Sequence, residues 1–189
     1  MKVILVNGGP HPDGCTNLAL EEIEKTLNEN NIETEKIWLG NKAIGGCIAC
    51  NHCLNTNNRC FMDDIVNIFL DKVNTADGFV FGSPVHFASA SGALTSFLDR
   101  VFYGRGSMFA GKLYASVVSC RRGGASAAFD QINKYGSNKE EAKDDLEGLQ
   151  TMRNLGMNIA YLLKCMKNAE QNGIEKPIYE KAIKTNFIR

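Results

Sequence analysis

The feature that most narrows what this chain can fold into is a regular alternation of strand and helix periodicity. Residues 3–6 (Val-Ile-Leu-Val) form a short apolar run halted by Asn7-Gly8-Gly9-Pro10, the pattern of a strand buried on both faces. Leu20, Ile23 and Leu27 then recur at helical spacing, with Thr16 or Asn17 placed to cap the helix. Residues 32–39 alternate apolar and polar, as a less buried strand does. Ile65, Ile68, Phe69 and Val73 make a second helical stripe after Asp63-Asp64, whose carboxylates suit a helix start. Residues 78–81 predict a third strand closed by Gly82-Ser83-Pro84, and Leu94, Phe97, Leu98 and Val101 a third helix. Residues 113–119 predict a fourth strand, and residues 125–135 and 138–171 carry two further helical patterns. Gly156 interrupts the last of these at a cost of about 1 kcal/mol without breaking it.

Strands alternating with helices argue a parallel sheet covered on both faces. Ligands of such sheets sit beyond the carboxyl ends of the strands, near the point where the strand order reverses. The loops at 7–17, 40–60, 82–92 and 119–124 each follow a strand, so they are expected to converge on one site. The whole chain, 1–189, reads as one domain with 40–60 as a Cys-rich loop within it. Lysine plus arginine equals aspartate plus glutamate, 21 against 21, which gives no electrostatic footprint for nucleic acid or an anionic membrane. No apolar run approaches the roughly 18 residues of a spanning helix, and the first run is too short for a signal-peptide core. A cytoplasmic location is therefore expected. There, seven cysteines do not predict a disulfide framework.

The loop after the first strand carries glycines at 8, 9 and 14, so G-x-G-x-x-G is absent. Gly9 and Gly14 have the spacing of a triphosphate loop and Thr16 follows, but Cys15 stands where the essential lysine belongs. A single phosphate monoester, held by backbone N–H groups, hydroxyls and a helix N-terminus, fits better. A phosphatase built on a Cys15 nucleophile lacks the arginine that would clamp its substrate, since Leu20-Glu21-Glu22 follow instead. A ligand-free connection is the plain alternative. Residues 82–92 are mostly small with aromatics interspersed, suited to lie along the polar edge of a flat heterocycle or to serve as strand stop and core. Arg121-Arg122-Gly123-Gly124 suits an anion or a ring carbonyl, or else solvated surface.

Taken together, Asn7-Gly8-Gly9-Pro10 through Gly14 and Thr16, Gly82-Ser83-Pro84-Val85-His86-Phe87 followed by Phe97-Leu98-Asp99-Arg100, the Arg121-Arg122-Gly123-Gly124 loop and residues 145–153 resemble the flavodoxin-like NADPH-dependent FMN reductase family over nearly the whole chain. The resemblance implies an α/β, flavodoxin-like doubly wound parallel sheet of order 2-1-3-4-5. The fifth strand has no apolar run here: Tyr135 and Gly136 meet where relatives carry a further segment. FMN is the implied cofactor, its phosphate near Gly9, Pro10, His11, Cys15, Thr16 and Asn17 and its ring near Ser83, Pro84, Val85, His86 and Phe87. Gly9 and Cys15 replace the Ser and Asn of many members, which turns two side-chain contacts into backbone or thiol contacts. Arg121, Arg122 and Gly123 complete the cofactor set, with His86 and Arg121 or Arg122 placed to tune the ring. The implied activity passes a hydride from NAD(P)H to the flavin and then electrons to a small acceptor such as free flavin, a quinone or oxygen. The flavin carries the chemistry, so no side chain is assigned as catalytic. Members assemble as homodimers or homotetramers, and Phe102, Tyr103 and Phe109 are the candidate interface.

Cys47, Cys50, Cys53 and Cys60 form the strongest local motif. All-thiolate ligation suits zinc or an iron–sulfur cluster, and three cysteines at successive two-residue spacings favour the cluster. The compact spacing is similar to that of the iron–sulfur flavoprotein branch of the same family, which implies a [4Fe-4S] cluster and docking on a ferredoxin as the alternative function. Zinc, a thiol redox pair or simple packing remain open at this point, and His52 is read as exposed. The neutral charge counts against an acidic carrier.

Overall fold

The computed structural model describes residues 1–56, 59–109, 111–120, 123–124, 127 and 146–175. Strands β1 (Lys2–Asn7), β2 (Glu33–Trp38), β3 (Gly78–His86) and β5 (Leu113–Ser119) run parallel in the order β2-β1-β3-β5. Ser89–Ala90, β4, pairs antiparallel with the end of β3. The expected order of the first four parallel strands is thus present. Arg121, Arg122, most of the 125–135 helical pattern and the junction at Tyr135-Gly136 lie outside the described residues.

Period-two alternation in β1 and β3 divides the core between the two faces of the sheet. Ile4, Val6, Phe79 and Phe81 face one way, onto helices α3 (Ile65–Lys72) and α4 (Gly92–Arg105), which follow the short helix α2 (His52–Asn55). Val3, Leu5 and Val80 face the other, onto α1 (Cys15–Glu29) and α5 (Leu146–Gln171). Four phenylalanines, Phe69, Phe79, Phe81 and Phe97, are fully buried on the first face, each worth about 1.5–3 kcal/mol of burial. Phe69 is the hub, edge-on to Phe97 at 5.1 Å and to Phe79 at 5.7 Å.

Gly156 has a packing reason. A Cβ there would stand 3.0 Å from the Thr26 Cβ, so the missing side chain is what lets α5 lie against α1. The cap of α1 differs from the sequence expectation. Gly14 occupies it in an extended conformation, its carbonyl accepting Leu18 N–H at 3.0 Å, and no side chain caps the helix. Thr16 and Asn17 are instead buried inside the first turn. Asp64 does cap α3, accepting Val66 N–H at 3.0 Å.

Strand β3 also runs further than its sequence suggests. Gly82-Ser83-Pro84 continues it rather than ending it, and Pro84 still pairs in register with Ser119 of β5. Gly82 gives its carbonyl to Gly8 on the β1 side, so two residues on the Pro84 nitrogen faces that same side, past the last β1 pair, Asn7 with Gly82, where no ladder needs an N–H. The expected long loop becomes a tight hairpin turning at Phe87 and Ala88, with φ of 51° and 61°. Two non-glycine residues in the left-handed region cost about 1–2 kcal/mol each, a cost often met at functional sites.

Candidate functional site

Loops from β1, β2 and β3 meet at the carboxyl edge of the sheet, where the order reverses between β1 and β3. The anchor is Gly8. Its N–H donates to the Gly82 carbonyl at 2.8 Å, and its carbonyl accepts the Ser91 hydroxyl at 2.7 Å. Ser91 also accepts Leu94 N–H at 3.2 Å and donates its own N–H to the buried Ser83 hydroxyl at 3.0 Å. A Cβ on Gly8 would fall 2.8 Å from the Leu94 Cβ, so only glycine allows this junction of loop, strand and helix.

From that anchor the chain turns outward, held from two sides. The Asn7 side chain accepts Gly9 N–H at 2.8 Å and donates to the His11 carbonyl at 3.4 Å. Trp38, at the end of β2, donates its indole N–H to the Gly9 carbonyl at 2.8 Å. Gly9 is buried, while Pro10 and His11 stand exposed on the rim. Cys15 is half-buried at the first position of α1. The Thr16 hydroxyl shares a 2.8 Å hydrogen bond with the Ser119 hydroxyl at the end of β5, and the Asn17 amide donates to Glu21 at 2.7 Å. Thr16 thereby ties the first turn of α1 to β5, while the Asn17 bond stays within α1.

A cleft of ≈ 450 Å³ opens beside this loop, lined by Gly8, Pro10, Lys42, His86, Gly92 and Ser96 among others. That volume suits a small cofactor. Pro10 and His86, from different loops, share it. Ser83, Pro84 and Val85 are buried, so they shape the hairpin while His86 and Phe87 are its exposed side chains. Gly123 is exposed beyond β5. Trp38 and Ser91 escape pattern reading because their partners, Gly9 and Gly8, lie 29 and 83 residues away, and Lys42 because only the folded chain brings it to the cleft.

The four cysteines of the motif line a second, smaller cavity of ≈ 20 Å³ with Ile48, Phe61, Arg100 and Tyr103. Asn67 on α3 clamps the Cys60 backbone from both sides, accepting its N–H at 2.8 Å and donating to its carbonyl at 3.1 Å. Cys47 and Cys50 lie in residues 45–51, all exposed, where Ala49 and Asn51 have positive φ, and Cys53 is half-buried in α2. Among the described residues no three His, Cys, Asp or Glu side chains are grouped to hold a metal ion. Four thiols around one cavity nonetheless supply the donor set of an iron–sulfur cluster, and widening an exposed segment sacrifices little buried surface. His52 is half-buried and packs edge-on against Phe61 at 5.6 Å.

Arg100 on α4 is buried beside these thiols. Burial opposes its charge, but hydrogen bonds with Asp64 and Cys60 outweigh that and hold its pKa above the ordinary value. Among the described residues no helix is long and apolar enough to cross a membrane.

The family model of the NADPH-dependent FMN reductases matches residues 1–139. An iron-sulfur flavoprotein of Methanocaldococcus jannaschii is 33% identical over 193 residues, covering 88% of this chain and 100% of that protein. Among solved structures, RosB with bound 8-demethyl-8-formylriboflavin-5'-phosphate has a TM-score of 0.66 at 14% identity, covering 100% of this chain and 94% of the other. A flavodoxin from the domain Archaea has a TM-score of 0.51 at 16% identity, covering 87% and 99%. At these identities the two structures show the fold alone, which is flavodoxin-like.

Proposed function

The chain belongs to the NADPH-dependent FMN reductase family, and on that premise we propose that it binds FMN at the carboxyl edge of the sheet and passes electrons from NAD(P)H to a small acceptor such as free flavin, a quinone or oxygen. The observation that carries the reading is the ≈ 450 Å³ cleft at the β1/β3 switch point, bordered by the glycine loop and by the exposed end of the β3–β4 hairpin. In this reading the backbone of Gly9, Pro10 and His11 and the first turn of α1, at Cys15, Thr16 and Asn17, receive the phosphate. His86 and Phe87 lie along the ring. Ser83, Pro84 and Val85 set the direction of the hairpin, and Gly123 approaches from beyond β5. Bound FMN supplies the chemistry, accepting two electrons as a hydride and releasing them singly or together. The protein orients it, shields one face and keeps the phosphate away from bulk water. On this reading the enzyme works in the cytoplasm as a homo-oligomer.

The decisive experiment is an absorption spectrum of anaerobically purified protein, followed by rapid mixing with NADPH and NADH. Flavin bands that bleach on mixing are expected. Flavin that neither nucleotide reduces would refute direct NAD(P)H oxidation and favour an electron carrier docking on a ferredoxin.

A second reading has its own observation, the four cysteines around one cavity. Cys47, Cys50, Cys53 and Cys60 would hold a [4Fe-4S] cluster, which supplies one-electron transfer beside the flavin. Iron and acid-labile sulfide assays on the same preparation test it, and background levels of both would end it.

A further inference from the structure

The four cysteines are not equivalent, and the side chain that makes them so is Arg100. Its guanidinium has five N–H donors, and each one has a partner. Two form a fork on Asp64, at 2.6 and 2.8 Å. One donates to the Gly45 carbonyl at 3.3 Å, two residues before Cys47, and one to the Met62 carbonyl at 2.8 Å, two residues after Cys60. The last, Nε–H, points at the Cys60 sulfur at 3.2 Å. A side chain 1% exposed thus ties together both ends of the cysteine segment and touches one thiol directly. Nothing about the flavin cleft explains this arrangement, because Arg100 does not line it.

We propose, resting on the iron–sulfur reading, that Arg100 is the positioning residue of the four-cysteine site, holding Cys60 as its fixed corner and raising the reduction potential of the cluster. The geometric half follows from the asymmetry of support. Cys60 is clamped by Asn67 through its backbone and by Arg100 through its sulfur, whereas Cys47 and Cys50 ride on the exposed residues 45–51 and Cys53 sits half-buried in the short helix α2. The electronic half follows from charge. One-electron reduction adds a negative charge to a site already carrying four thiolates, and an N–H donor on a ligand sulfur stabilises the reduced form more than the oxidised one. Asp64 occupies the end-on edge of the guanidinium, which leaves the Nε edge aimed at the sulfur. Lysine cannot reproduce this, having three donors on a single nitrogen.

The test uses the full chain, purified without air, as wild type, Arg100→Lys and Asp64→Asn. Iron and sulfide content reports whether a cluster is present, and a spectroscopically monitored redox titration reports its midpoint potential in the loaded fraction. Arg100→Lys is expected to titrate at a lower potential than wild type. Asp64→Asn, which leaves the guanidinium charge uncompensated, is expected to titrate higher. A purely structural role for Arg100 would lower occupancy and leave the potential of the loaded fraction unchanged; that result overturns the proposal. Wild-type protein without iron and sulfide defeats the cluster reading instead. In that case the positioning claim is judged with cadmium alone, followed by its thiolate absorption. A loss of affinity of about tenfold or more in Arg100→Lys supports it, and equal affinity overturns it.

Discussion

Replacing Trp38 with phenylalanine should weaken FMN binding without disturbing the sheet. The indole N–H holds the Gly9 carbonyl at 2.8 Å, and it comes from β2, the strand paired beside β1. Phenylalanine keeps most of the ring packing and removes only the donor. A hydrogen bond of this kind contributes about 0.5–1.5 kcal/mol net, and Trp38 is 36% exposed, so water can partly satisfy the freed carbonyl. We take about 1 kcal/mol. If the bond keeps the loop in its binding shape, losing it lowers the competent fraction and raises the apparent dissociation constant by the same factor, about fivefold. Quenching of flavin fluorescence during an anaerobic FMN titration measures this, with urea denaturation of the flavin-free protein run alongside. A dissociation constant within twofold of wild type, together with unchanged stability, would show that the Trp38 hydrogen bond does not shape the loop. Trp38 is the only tryptophan in the chain, so its emission should also fall as FMN binds to the wild-type protein.

Three other expectations follow from the packing and the charges. Gly156→Ala gains about 1 kcal/mol of helix propensity but places a Cβ 3.0 Å from the Thr26 Cβ, and overpacking costs about 1–3 kcal/mol. The net effect is a lower melting temperature, and pairing it with Thr26→Ala should recover most of the loss. Glu35 is bonded to Lys2 and then to Lys72, which pulls its pKa below the usual carboxylate value. A lowered folded-state pKa gives stability that is present above the unfolded value and lost as pH falls through the folded one. Glu35→Gln should therefore flatten the acid limb of the stability–pH curve, by no more than about 1 kcal/mol and less in high salt. Phe87 is 73% exposed, so Phe87→Ala should change unfolding free energy by less than about 0.5 kcal/mol while altering the absorption or affinity of bound FMN; a large stability loss with unchanged flavin would place Phe87 in the fold instead.

How much of this was legible beforehand depends on the range of the interaction involved. Val3 to Val6, the stripe through Leu20, Ile23 and Leu27, and the Asp64 cap are local patterns, and each appears in the structure where its periodicity or residue type puts it. Pro84 misled because a proline ends a strand only where a ladder needs its N–H, and here that edge faces β1, whose pairing stops at Gly82, while β5 continues alongside. Thr16 misled as a cap because its hydroxyl had a partner 103 residues away, in Ser119. Gly156 looked like a weakness in a helix until Thr26 was placed opposite it.

The division falls along the same line for function. Residue order alone determined the alternating α/β layout, the gathering of loops at one sheet edge and the spacing of four cysteines, because all three rest on neighbours within a few turns of chain. The tertiary structure alone decided that Trp38 steadies the β1 loop, that Ser83 and Val85 are buried while His86 and Phe87 are presented, and that Arg100 reaches Cys60 across 40 residues. Those assignments require two distant segments to arrive at the same place, and a hydrogen bond about 3 Å long exists only once the packing of sheet and helices has brought its ends together.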